Sequence, residues 1–126
     1  MARTRLGQVR ANVTDLRRSL DWYTTVLGFE VDFTYPEGEP NYAQFGAENG
    51  AEFSIGQGGA CGGRFNFTVD NADEFWAEVS ARDELDVVEP LFTAPWGTRK
   101  FTIRDPDGNE LGFIVPARVD GATTGT

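Results

Sequence analysis

The chain of 126 residues contains no histidine. That removes the side chain most used for proton transfer near neutral pH, for Ser–His and Cys–His nucleophile pairs and for metal ligation. The lone Cys61 sits in the glycine run Gly56–Gly63 with no basic neighbour nearer in sequence than Arg64, so nothing local draws its thiol toward the reactive thiolate. It reads as a loop residue. Chemistry of a gentler kind is available on two alternating segments. In QVRANV, Gln8, Arg10 and Asn12 point one way; in RFNFT, Arg64, Asn66 and Thr68 do the same. Amide, guanidinium and hydroxyl groups at period two form a face that can hydrogen-bond a small molecule without transforming it. Aromatic groups accompany them. Trp96, between Pro95 and Gly97, serves no helical or strand stripe and is expected to wall a pocket. Tyr42 is read as a second wall residue with an ordinary strand role left open, and Phe33, Tyr35 and Phe45 as possible additions.

The elements that position these groups follow from periodicity. Val9, Ala11 and Val13 form the apolar side of a first strand. Asp15 caps a helix whose stripe is Leu16, Leu20, Tyr23 and Leu27, and Gly28 offers a left-handed stop. FEVDFTY, NYAQFGA and AEFSIG then read as three strands, separated by turns at Pro36–Pro40 and at Glu48-Asn49-Gly50. After the glycine run the order repeats. RFNFTV is a strand, Asn71 caps a helix carrying Phe75, Trp76 and Val79 to near Arg82, and DVVEP, KFTIRD and ELGFIV are three more strands. The last two are joined by the Asp105-Pro106-Asp107-Gly108-Asn109 turn. Val13 and Val69 lie fifty-six positions apart, while Gly50 and Gly108 lie fifty-eight apart. Such near-equal offsets indicate internal duplication. The predicted fold class is α+β: two βαβββ modules forming a concave, partly closed mixed sheet with helices outside. Module one covers 5–56, a glycine-rich linker 57–63, module two 64–116, and a polar tail 117–126.

Bulk properties narrow the partners. An apolar fraction of 40% with ten Phe and three Trp supports one globular domain. A formal charge of −9 opposes phosphate backbones and acidic lipid, so neither nucleic acid nor a membrane is an expected partner. The first residues hold no apolar run of signal-peptide length and no segment could span a bilayer. A single cysteine excludes an internal disulfide, and the expected location is cytoplasmic. Arg17, Arg18, Arg99 and Lys100 read as solvated charges.

The segment D-L-x-x-S-L-x-W-Y-x-x-V-L-G-F at 15–29 and D-P-D-G-N at 105–109, set in a doubled strand-helix-three-strand unit, resemble the vicinal oxygen chelate superfamily of glyoxalases, extradiol dioxygenases and bleomycin-resistance proteins. The resemblance covers nearly all of the chain before Pro116. Catalytic members hold a divalent metal with side chains from the first and last strand of each module. Those places fall here on Gln8, Ser54, Arg64 and Gly112. An arginine repels a cation, a glycine has no ligand atom, and the other two are weak beside imidazole or carboxylate. The metal site therefore reads as dismantled, with no cofactor expected. Glu52 and Glu110, equivalent positions on the same strands, could supply two oxygen ligands if both turned inward, but read as surface charges. Gly112 either leaves room for a bulky ligand or is simply a small residue tolerated on an open sheet.

Likeness to the bleomycin-resistance proteins implies that Trp96 and Tyr42 flank planar rings of a bound molecule, with Gln8, Arg10, Asn12, Ser54, Arg64, Asn66 and Gly112 around it. Either one of the two arginines pairs with Glu52 or Asp32, or both point to a ligand with a carboxylate, phenolate or quinone-like oxygen. The first functional expectation is a metal-independent, non-enzymatic binding protein, a homodimer by resemblance, that sequesters an aromatic natural product or antibiotic. The second is an atypical lyase, isomerase or oxygenase of the same fold using Arg10, Arg64 or Tyr42. An accessory domain that binds another protein ranks third.

Overall fold

Side chains at the helix starts behave as the sequence predicts. The Asp15 carboxylate accepts the backbone N–H of Arg18 to open α1 (Leu16–Thr25), and the Asn71 amide oxygen accepts that of Glu74 to open α2 (Ala72–Val79). Each occupies the N-cap position, where an orphan amide otherwise lacks a partner. Asp73 and Glu74 in the first turn of α2 also complement the positive end of the helix dipole. Beyond α1 the chain reverses at Gly28, whose φ of +73° suits a residue without Cβ. The computed structural model describes residues 8–46 and 51–116. The predicted turn Glu48-Asn49-Gly50, residues 1–7 and the tail 117–126 lie outside the described residues.

Eight strands accompany the helices: β1 (Gln8–Val13), β2 (Val31–Tyr35), β3 (Tyr42–Phe45), β4 (Glu52–Gln57), β5 (Arg64–Thr68), β6 (Asp86–Thr93), β7 (Arg99–Arg104) and β8 (Glu110–Val115). They form two four-stranded mixed sheets of identical topology, β1-β4-β3-β2 and β5-β8-β7-β6. In each, the strand before the helix lies parallel to the last strand of its module, and the other three run antiparallel. The repeat inferred from offsets is thus a repeat of strand order. The largest departures from the expected boundaries are that β6 runs on to Thr93 through Pro90, with register shifts on either side of Glu89, and that α2 ends at Val79 instead of near Arg82. Proline is tolerated there because β6 is an edge strand.

The chain divides into two compact units, 1–63 with 105–109, and 64–104 with 110–126. In the first, α1 packs on β3 and β4. Tyr23, Phe45 and Phe53 form its aromatic core, with centroids 5.5 Å apart for Tyr23–Phe45 and 6.1 Å for Phe45–Phe53. Phe45 is therefore a core residue and not a pocket wall, because it lies on the helix side of β3. In the second unit α2 packs on β6, β7 and β8. Phe113 there contacts Phe67 at 5.2 Å and Phe75 at 5.0 Å, and Trp76 meets Phe101 at 5.1 Å. Each buried aromatic side chain contributes roughly 1.5–3 kcal/mol of transfer free energy, which is what ties the helix to its sheet.

The 105–109 turn belongs to the first unit and does more than reverse the chain. Asp107 accepts hydrogen bonds from the Thr14 hydroxyl at 2.6 Å, Arg18 at 2.9 Å and Ser19 at 3.1 Å. Asp105 accepts the Tyr23 hydroxyl at 2.7 Å. The Asn109 amide donates to the Asn12 carbonyl at 3.0 Å and accepts the backbone N–H groups of Gly62 and Gly63. Arg18 is thus an ion-pair partner of Asp107 and not the solvated charge the sequence suggests.

Candidate functional site

Each sheet turns one face to its helix, so function falls to the opposite face. On the first sheet, register places Arg10 beside Ser54, Asn12 beside Gly56, Gly56 beside Tyr42, and Ser54 beside Gln44. Phe33 and Tyr35 on β2 pair with Gln44 and Tyr42. Gln8, Arg10, Asn12, Tyr42 and Ser54, chosen from sequence, therefore share one face. Two members were missed. Gln44 follows Tyr42 by two positions, so strand alternation alone could have found it. Gly56 could not have been singled out from its glycine-rich surroundings.

Polar groups on this face hold one another. The Gln8 amide donates to the Tyr42 hydroxyl, and to Gln44 Oε1 at 2.8 Å. The Tyr42 hydroxyl donates to the same Gln44 oxygen at 3.2 Å, and Gln44 Nε2 donates to Asp32 at 3.4 Å. Ser54 Oγ donates to the Val9 carbonyl at 3.1 Å and is fully buried. Arg10 Nε donates to Asn12 Oδ1 at 3.0 Å, and Asn12 Nδ2 donates to the Ala60 carbonyl at 2.7 Å. The apolar component lies toward β2, where Phe33 and Tyr35 are 47% and 66% exposed and the Phe33 ring stands 5.9 Å from Tyr42.

The corresponding face of the second sheet has another character. A cross-strand row, Arg64, Glu110, Arg104, Asp86, alternates in charge across all four strands. Arg64 meets Glu110 at 2.8 Å, Arg104 meets Glu110 at 3.7 Å, and Arg104 meets Asp86 at 3.3 Å. Neither Glu52 nor Asp32 is the partner of Arg64; its cross-strand neighbour Glu110 is. In the next row Thr102 donates to Glu89 at 3.0 Å, and Lys100 reaches Glu89 at 3.5 Å. Arg99 pairs with Asp73 at 3.0 Å, so neither Arg99 nor Lys100 is a free solvated charge. Gly112 does not leave open room, since a Cβ there would stand 2.4 Å from Asn66 Oδ1. The Asn66 amide occupies that space. Trp96, 69% exposed, sits in the turn between β6 and β7, where Gly97 has a φ of +99°.

The four metal-ligand positions can now be judged by chemistry. Gln8 is committed to Tyr42 and Gln44, Ser54 to a backbone carbonyl, Arg64 to Glu110, and Gly112 offers nothing. No group of three or more His, Cys, Asp or Glu side chains suited to a metal occurs among the described residues. This donor set does not fit a divalent cation.

Burial, then the charge of Asp105, pushes the Tyr23 hydroxyl far above its ordinary range, but Tyr23 faces the core. Slight desolvation and the nearby carboxylates of Asp107 and Asp105 raise the thiol of Cys61, which keeps it protonated and unreactive.

Comparison with known proteins agrees with the architecture. A profile of the Glyoxalase/Bleomycin resistance protein/Dioxygenase superfamily matches residues 5–113. The crystal structure of TioX from Micromonospora sp. ML1 superposes with a TM-score of 0.77 at 25% identity, covering 89% of this chain and 98% of that one. TnmS3, an antibiotic binding protein from Streptomyces sp. CB03234, gives 0.78 at 23% identity over 93% and 99%. A superfamily member from Sphaerobacter thermophilus DSM 20745 gives 0.74 at 23% over 90% and 98%. No curated protein sequence matches. With paired βαβββ sheets of identical strand order and a profile match over most of its length, the chain belongs to the Glyoxalase/Bleomycin resistance protein/Dioxygenase superfamily.

Proposed function

We propose that this protein binds and sequesters a planar aromatic small molecule without a metal ion, and that the helix-free face of the first sheet is where the molecule lies. The observation that carries the reading is the exposure of Phe33 and Tyr35 beside Tyr42 and a hydrogen-bonded amide cluster. Aromatic side chains left open next to convergent polar groups are the usual make-up of a small-molecule site. The likeness to TnmS3, an antibiotic binding protein, and the absence of histidine favour retention over turnover.

Titration with a panel of aromatic antibiotics tests it. Saturable shifts of the amide resonances of β1 to β4 near one ligand per chain, weakened in Phe33→Ala and Tyr35→Ala, which remove exposed rings, are the expected result. Turnover of a bound compound beyond one equivalent would show an enzyme instead. A stoichiometric divalent ion in protein purified without chelator would overturn metal independence.

A further inference from the structure

Arg10 is a cation that the fold leaves unspent. The chain carries twenty acidic and eleven basic residues, so a carboxylate partner is in ample supply. Arg64, Arg99, Lys100 and Arg104 on the strands all take one, and so does Arg18 on α1. Among the described residues no carboxylate pairs with Arg10, although it projects from β1 onto the face that also carries Tyr42 and Gln44.

Its guanidinium is nonetheless held in place. A Cβ on Gly56 would stand 2.2 Å from Arg10 Cζ and 2.6 Å from Nη1, so the planar group lies directly against bare backbone of β4. Nε is used by Asn12 Oδ1 at 3.0 Å, and Asn12 is itself fixed by the Ala60 carbonyl at 2.7 Å. Asn12 in turn rests on Gly59, where a Cβ would come within 2.7 Å of Nδ2. Gly56 on β4 and Gly59 in the linker thus serve as flat supports for Arg10 and its anchor. With Nε occupied by a neutral amide, the terminal nitrogens keep their charge and their donors for something else. A fixed guanidinium fork is suited to a planar oxyanion and loses little freedom on binding one.

We infer that the bound aromatic molecule carries an ionised oxygen, as a carboxylate, phenolate or enolate, and that Arg10 receives it. This rests on the first-sheet face being the binding face, and it names the charge of the ligand on that face. The position of the guanidinium over Gly56, the cross-strand partner of Tyr42, lets one molecule present its ring toward the aromatic side and its oxygen toward β1.

Naphthalene-2-carboxylate and naphthalene-2-carboxamide, with the matching anthracene pair, separate charge from ring. Calorimetry and amide chemical-shift mapping of β1 to β4 read their binding to the wild type and to Arg10→Gln, Gly56→Ala and Arg17→Gln, with melting temperature as the folding check. The wild type should bind each carboxylate about tenfold tighter than its amide, the low end for a charged hydrogen bond. Arg10→Gln should bind both with the amide's affinity. Gly56→Ala, which displaces the guanidinium without removing its charge, should lose most of the preference. Arg17→Gln removes a helix-surface charge and should keep it. Equal affinity of the wild type for acid and amide, or a preference that survives in Arg10→Gln, overturns the role of Arg10 and leaves the binding face intact. Failure of every probe to shift any amide of β1 to β4 at millimolar concentration overturns the binding face and this inference together.

Discussion

The two sheets share strand order, parallel pairing and an aromatic helix-side core, yet their outer faces solve different problems. The second sheet spends its charges on itself. Arg64, Glu110, Arg104 and Asp86 form an alternating row, and Lys100 and Thr102 converge on Glu89. The first sheet presents a cation that no described carboxylate pairs, an amide and hydroxyl cluster, and two exposed aromatic rings. Opposite charges at cross-strand neighbours stabilise a sheet and consume its capacity to bind. Duplicated scaffolds can therefore diverge on one face while the other, buried by its helix, stays under the same packing demand.

The largest effect tests the shared half of that comparison. Phe45→Ala and Phe101→Ala remove fully buried rings from the topologically equivalent strands β3 and β7, and each should cost about 3–5 kcal/mol in denaturant unfolding. A large inequality between them would show that the helix sides are not alike.

A smaller effect probes an asymmetry of the first unit, its possession of the 105–109 turn. The Asp107 side chain is only 4% exposed. Burial opposes its charge, but hydrogen bonds from Thr14, Arg18 and Ser19 outweigh that and hold its carboxyl below the ordinary value. A group whose folded pKa is depressed gives stability that is present above its unfolded pKa and is lost as pH falls through the folded one. Asp107→Asn should accordingly cost about 2 kcal/mol at pH 7. The gap to wild type should narrow in urea titrations carried below roughly pH 4, the ordinary aspartate range. A gap that does not change with pH would mean that the charge of Asp107 contributes nothing.

How far these contrasts were legible beforehand depends on range. Alternation and capping chemistry are local, so β1, β5, Asp15, Asn71 and the duplication could be read directly, and the shared face of Gln8, Arg10 and Asn12 with them. Pairing across strands is not local. That Glu110 takes Arg64 while nothing described takes Arg10 depends on which strands are neighbours, as does the filling of Gly112 by Asn66. Phe45, read from sequence with Tyr42 as an addition to the wall, lies three positions from it on β3, so local alternation already places it on the opposite, helix-side face. The DPDGN run showed its turn but not its grip on Tyr23, Thr14 and Arg18, whose partners lie more than eighty residues away.

The smallest effect bears most directly on the difference between the faces. Glu110 has two cations around it, so Glu110→Gln and Arg64→Gln should each destabilise the protein slightly, by about 0.2–1 kcal/mol for partly exposed ion pairs. Their double-mutant cycle should give a coupling of similar size that shrinks as salt rises. Arg10→Gln leaves no described carboxylate behind and breaks one hydrogen bond to Asn12, so its stability change should be no greater and should couple to neither Arg64 nor Glu110. The division of labour predicts opposite patterns for the two arginines: Arg64→Gln is felt in folding, and Arg10→Gln in the preference for a charged ligand. If Arg10→Gln proved the more destabilising of the two in urea titrations at low salt, the guanidinium over Gly56 would be a structural prop, and the first sheet would be spending its charge just as the second does.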